Sequence, residues 1–166
     1  MKIVAFIDPR FPDNTNLSFW IPPYGEEGAR LPGETDDELL ARWQPRTIAP
    51  GTPHRIIEDT DIPLECRSDR TWRNCLEDTG SAIQVNMEKA RVVHMDKIRV
   101  VRNAELVKKD IPSLRAIEAG DTDAQATIAT EKQVLRDLPT TFDITTDVDT
   151  PEQLKAKWPA ELPARE

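Results

Sequence analysis

The sequence predicts an α+β fold, with a small antiparallel β-sheet in an N-terminal half (residues 1–85) and an α-helical hairpin in residues 86–166, which end in a short helix and an acidic tail. Three observations lead there. Short β-branched and aromatic runs bounded by Pro, Asp and Asn lie upstream of Asn86, the pattern of strands and turns. Downstream, apolar residues recur at three- and four-residue intervals, which is the helical period. Gly120 then stands just before Thr122 and Gln125, so a helix stop is followed at once by a helix start.

The first strands are KIVAFID (Lys2 to Asp8) and LSFWIPP (Leu17 to Pro23). The PRFPDNTN connection between them is too long for a tight two-residue turn. After a loose segment, Thr35-Asp36-Asp37-Glu38 has the spacing of a capping box and opens the short helix ELLARWQ, which Pro45 is expected to close. HRIIED, starting at His54, is a third strand, and SAIQVN (Ser81 to Asn86) a fourth. A sheet followed by helices is the α+β arrangement.

Asn86 is placed to cap the first long helix, Asn86–Lys109, in which Ala90, His94, Ile98 and Val101 share one face. The second helix, Thr122–Leu138, starts at the Thr122/Gln125 capping box and ends before Pro139. It presents Ala124, Ile128, Leu135 and Leu138 on one side. Thr150 and Pro151 are N-cap and first residue of the short terminal helix, and Glu152 complements its dipole.

The 166 residues suffice for one domain or two small ones. With 31% charged and 38% hydrophobic residues the core is thin for the length, and 14 prolines against 6 glycines imply stiff, extended connections suited to lying along a partner. The net charge of −8 argues against a nucleic-acid partner, because phosphate contacts need a basic face. The basic run RVVHMDKIRVVRN has acidic neighbours and reads as a solvated helix face. No apolar run approaches the ~20 residues that span a bilayer, and there is no signal-peptide pattern, so no membrane partner is expected.

Few residues suggest chemistry. His54 and His94 are the only histidines, and neither has the spacing of a catalytic dyad with an orienting partner. The expectation is a surface His54 and a partly buried, hydrogen-bonded His94. Cys66 and Cys75 either form a disulfide, which would stabilise the chain by about 2–3 kcal/mol, or stay reduced as in a bacterial cytosol. Without histidines nearby they do not make a zinc site. Asp143, Asp147, Asp149 and Glu152 suggest a calcium loop at first sight, but no glycine stands among them and Glu152 comes too early. No catalytic, cofactor or metal residue is therefore assigned. Interaction residues are easier to name. The first long helix is apolar on several sides, which makes Val92, Val93, Met95 and Val100 candidate interface positions. Trp20 and Trp158 are candidate anchors among four tryptophans that each lie within two residues of Pro, Arg or Lys.

Several stretches also carry a resemblance. They are His94, Asp96, Lys97, Ile98 and Arg99; Ala119-Gly120-Asp121; Ile128-Ala129; and Lys132, Gln133, Leu135, Arg136 and Asp137. They close on Thr150, Pro151, Glu152, Leu154, Lys155, Trp158 and Pro159, and upstream HRIIEDTDIP and DRTWRNCLED fit as well. Together they resemble a family of small tailed-bacteriophage proteins from the tail and tail-fibre regions of phage genomes. That resemblance implies a structural component of the virion, made in the host cytoplasm. It would dock onto other phage tail or fibre proteins and act as a homo-oligomer or in multiple copies. The alternative is a tail-fibre assembly chaperone that is absent from the mature particle. A small phage hydrolase ranks third, since no nucleophile–base pair, metal cluster or glycine-rich loop accompanies the motifs.

Overall fold

The computed structural model describes residues 1–10, 15–68 and 70–165, without the side chains of Glu65 and Ser68. The middle of the expected first connection (residues 11–14) and Asp69 of the DRTWRNCLED stretch lie outside the described residues. The fold is α+β, and the chain divides into two compact units, Met1–Asn86 and Met87–Glu166.

Unit 1 is built on β1 (Lys2–Ile7), which lies between β2 (Leu17–Trp20) and β3 (His54–Glu58), antiparallel to both. Ile3, Val4 and Ala5 of this central strand are buried, as β-branched and small residues covered on both faces should be. Val4 packs with Leu40 of α1 (Asp36–Thr47) and with Ile48, while Phe6 and Trp20 close the cluster at its margin. The Thr35/Glu38 capping box forms as expected: the Glu38 amide donates to Thr35 Oγ1 at 3.3 Å, and Glu38 Oε2 accepts from the Thr35 amide at 2.8 Å. Pro45 does not close the helix, however. It sits in the last turn, where only the carbonyl of Ala41 loses its partner, and the helix runs on to Thr47.

A second, separate pair of strands, β4 (Leu76–Asp78) and β5 (Ile83–Val85), is antiparallel with Leu76 opposite Val85. The expected fourth strand is therefore present but shorter. It pairs with a three-residue strand too short to stand out in the sequence, so unit 1 has two small sheets instead of one. Between β3 and β4 lie α2 (Leu64–Ser68) and a 3₁₀ segment (Arg70–Cys75) that buries Trp72. Cys66 and Cys75 are both buried and remain thiols, so the disulfide alternative is not realised. Each fills its site as a small hydrophobe.

Unit 2 contains α3 (Met87–Lys108), α4 (Asp110–Glu118), α5 (Thr122–Thr141) and α6 (Pro151–Ala156). The expected first long helix, Asn86–Lys109, is observed as α3, and a further helix, α4, follows it before the turn at Gly120. Pro112 explains the break: it cannot donate to the carbonyl of Lys108, and its ring crowds that oxygen. Lys109 between them keeps right-handed helical dihedrals (φ −80°, ψ −11°), so the backbone turns only locally.

The turn from α4 to α5 is a Schellman motif. Gly120 adopts φ +66°, its amide donates to the Ile117 carbonyl at 3.1 Å, and the Asp121 amide donates to Ala116 at 3.0 Å. Asp121 then serves as the N-cap of α5, accepting from the Ala124 amide at 2.9 Å. The expected Thr122/Gln125 capping box is replaced by this arrangement one residue earlier, and the Gln125 side chain instead donates from Nε2 to the Ala116 carbonyl at 3.2 Å. Pro139 again falls in a last turn, and α5 continues to Thr141.

The core of unit 2 is Met95, Ile98, Leu135, Leu138 and Leu162, with Val101, Leu106, Phe142, Ile144 and Trp158 around it. The terminal segment is tied to α3 by named bonds. His94 donates from Nε2 to the Lys157 carbonyl at 2.7 Å, and Arg91 donates to the Val148 carbonyl at 2.8 Å. Thr150 caps α6, as the sequence predicts, and Gln153 completes a full capping box with it.

Candidate docking surface

α3 sorts its apolar residues onto two opposite sides. Ala90, His94 and Ile98 are fully buried, and Val101 packs beside them, so the expected inward face is the observed one. The other side carries Val100, Ala104 and Val107, and the series continues on α4 with Ile111 and Leu114. Val100 is 68% exposed, Val107 66%, Ile111 63% and Leu114 56%, with Ala104 also exposed. Their spacing is four, three, four, three, the alternation that places side chains along one seam of a helix. Val92 and Ile117 extend the exposed apolar surface towards either end. The residues on either side of the break at Lys109 are exposed alike.

Polar and charged residues border this seam. Lys108 and Arg115 lie on one side of it by helical phase, and Asn103 and Asp110 on the other. Two ion pairs clamp the arm to α5: Lys109 to Glu131 at 2.8 Å, and Lys132 to Asp110 at 2.7 Å. Two more lie within α3, Asp96 with Arg99 at 2.7 Å and Glu105 with Lys108 at 2.6 Å. Such surface pairs are each worth about 0.2–1 kcal/mol. They orient the helices more than they stabilise them.

Of the candidate interface residues, Val92 and Val100 are on the surface and Val93 is half-buried. Met95 is not available to a partner, because at 9% exposure it belongs to the core with Ile98 and Leu138. Trp158 is not an outward anchor either. Its indole donates to the Pro163 carbonyl at 2.9 Å, its ring meets His94 edge-on with centroids 5.9 Å apart, and Arg165 stacks over it. Those contacts fasten the terminal segment. Trp20 is half-buried against Val4, Leu40 and Ile48 and walls the first core. Ala104, Val107, Ile111, Leu114 and Ile117 were not singled out by the sequence reading, although the four–three spacing was there to find.

The polar candidates have structural tasks. His54 is exposed, with Nδ1 donating to the Thr52 carbonyl and Nε2 accepting from the Gln44 amide, both at 2.8 Å. His94 is fully buried, which lowers its pKa. The bond to the Lys157 carbonyl opposes that shift, and the charges of Arg165 and Lys97 add to it. Asp143 organises the loop before α6 by accepting from the Thr145 hydroxyl and the Thr145 and Thr146 amides, which hold its carboxyl well below the usual range. Glu34 is held at about 2, chiefly by the Arg42 guanidinium. Among the described residues, no group of three or more His, Cys, Asp or Glu is placed to hold a metal ion, and no helix is long and apolar enough to cross a membrane.

No family model, curated protein or solved structure matches the chain.

Proposed function

We propose that this protein is a structural component of a tailed-bacteriophage virion, associated with the tail or its fibres, that works by docking through its C-terminal helical unit. One observation carries the docking part. Large apolar side chains from Val100 to Ile117 stay in water on the side of α3 and α4 away from the core. Soluble monomers rarely keep contiguous apolar surface of more than a few hundred Å², and larger patches mark contact sites. The phage setting rests on the sequence resemblance, whose motif residues include His94, Gly120, Asp121 and Trp158. These are the residues that buttress the helical unit: His94 and Trp158 lock the terminal segment, and Gly120 and Asp121 make the turn between α4 and α5.

Quantitative mass spectrometry of purified particles tests the reading. The expected result is the protein at a fixed copy number relative to known tail proteins. Abundance in the infected cell but absence from particles would overturn it in favour of an assembly chaperone.

A further inference from the structure

We infer that the occupant of the exposed seam is a second copy of this chain, lying parallel to the first. The inference rests on reading the seam as a contact surface, and it goes further by naming the partner and its direction. Val100, Val107 and Leu114 recur every seven residues, with Ala104 and Ile111 at the intervening positions, so all five fall on the seam of a heptad pattern. The opposite side of the same helices holds Ile98, Leu106 and Ala116, which face their own unit. Pro112 and Lys109, where the helix breaks, fall outside the seam positions. The seam therefore faces outward on both helices, and the break between them falls at residues that are not part of it.

The flanking residues select the partner. Along one edge run Asn103 and Asp110, along the other Lys108 and Arg115. In a parallel two-stranded pairing, each residue of the first edge faces a residue five positions later on the second edge of the other helix. Asp110 then meets Arg115 of the second copy, and Asn103 meets Lys108, twice over by symmetry. An antiparallel pairing would instead set the Lys108/Arg115 edges against each other, which like-charge repulsion disfavours. Asp110 is 63% exposed on its side chain while bonded to Lys132, so it is open to a second cation. A surface that is complementary to itself in one orientation fits an identical partner.

The area fits as well. Covering these five side chains removes on the order of 500 Å² of apolar surface per chain, or about 1,000 Å² for the pair, at the lower limit of specific interfaces. Association is accordingly reversible, with dissociation in the micromolar range (roughly 1–100 μM).

Sedimentation of the full chain from about 1 to 300 μM tests this. The wild type should pass from monomer to dimer, and Val107→Asp should weaken dimerisation at least tenfold while leaving the helical circular dichroism unchanged. Val100→Cys and Leu114→Cys, oxidised separately, should each cross-link to themselves. A wild type that stays monomeric over the range overturns the inference, and so does a dimer indifferent to Val107→Asp. Cross-linking only in the mixture of the two cysteine variants overturns the parallel arrangement. A monomeric wild type that still enters particles, with Val107→Asp excluded from them, would refute the second copy and leave docking intact. Absence of the wild type from particles would instead refute the virion reading, whatever its state in solution.

Discussion

Shortening Ile98 tests whether α3 is anchored where the packing places it. Ile98 is fully buried among Met95, Leu135, Leu138 and Leu162. Ile98→Val removes one methylene and is expected to cost about 1 kcal/mol. Ile98→Ala removes more of the side chain, and the lost transfer energy and the residual cavity together bring the cost to about 3–4 kcal/mol. The control is on the same helix: Val100→Ala, at 68% exposure, should change stability by less than about 0.5 kcal/mol. Urea unfolding followed by circular dichroism at the helical band reports chiefly on unit 2, where the three longest helices other than α1 lie. With a slope of about 1 kcal/mol per molar, the midpoint should fall by roughly 1 M for the valine variant. The alanine variant should lose most of its cooperative transition. If Ile98→Ala unfolded within about 0.5 kcal/mol of wild type, or Val100→Ala cost as much, the assignment of inner and outer faces would be wrong.

Two further outcomes follow from single sites. His94 is held neutral in the fold with a lowered pKa, so the stability that depends on it is complete above about pH 6.5 and declines as pH falls below that value, where the unfolded chain takes up a proton first. Melting temperatures between pH 7.5 and 5 should show the decline, and His94→Gln should flatten it; an unchanged slope would refute the assignment. Gly120→Ala should destabilise unit 2 by about 1 kcal/mol or more because the turn requires φ +66°, and a neutral or stabilising result in thermal melts would show that the turn is not so constrained.

How much of this was legible in the sequence depended on whether a signal was local. The Thr35/Glu38 box and the Thr150 cap were readable because the partners of each bond lie within one turn. The inward face through Ala90, His94 and Ile98 was readable because its spacing is regular. Pro45 and Pro139 misled, since a proline that looks like a stop is tolerated in a last turn. α4 was not named as a helix of its own, although Gly120 was legible as a helix stop. β4 is three residues long and acquires its identity only from pairing with β5. The exposed seam was hidden for another reason. Val92, Val93, Met95 and Val100 are all apolar, and apolarity alone does not say which of them face the core. Burial separates Met95 from Val100, and then the four–three series beyond Val100 becomes visible.

The composition of that series bears on why it is there. Valine and isoleucine are poorer helix formers than alanine, lysine or glutamate, by roughly 0.5 kcal/mol per residue. Val100, Val107 and Ile111 stand on the water side of α3 and α4 and touch no part of the unit's core cluster. Within one chain they forgo about 1.5 kcal/mol of helix propensity with little burial in return. A lysine or glutamate at each position would favour both the helix and solubility. A local choice that works against its own element, without compensation inside the fold, is the pattern expected where function rather than folding sets the residue. Covering the three side chains with a second helix reverses the balance, because burying each gains about 1.5–3 kcal/mol. The outer face of the arm is therefore better explained by what it meets than by what it holds up.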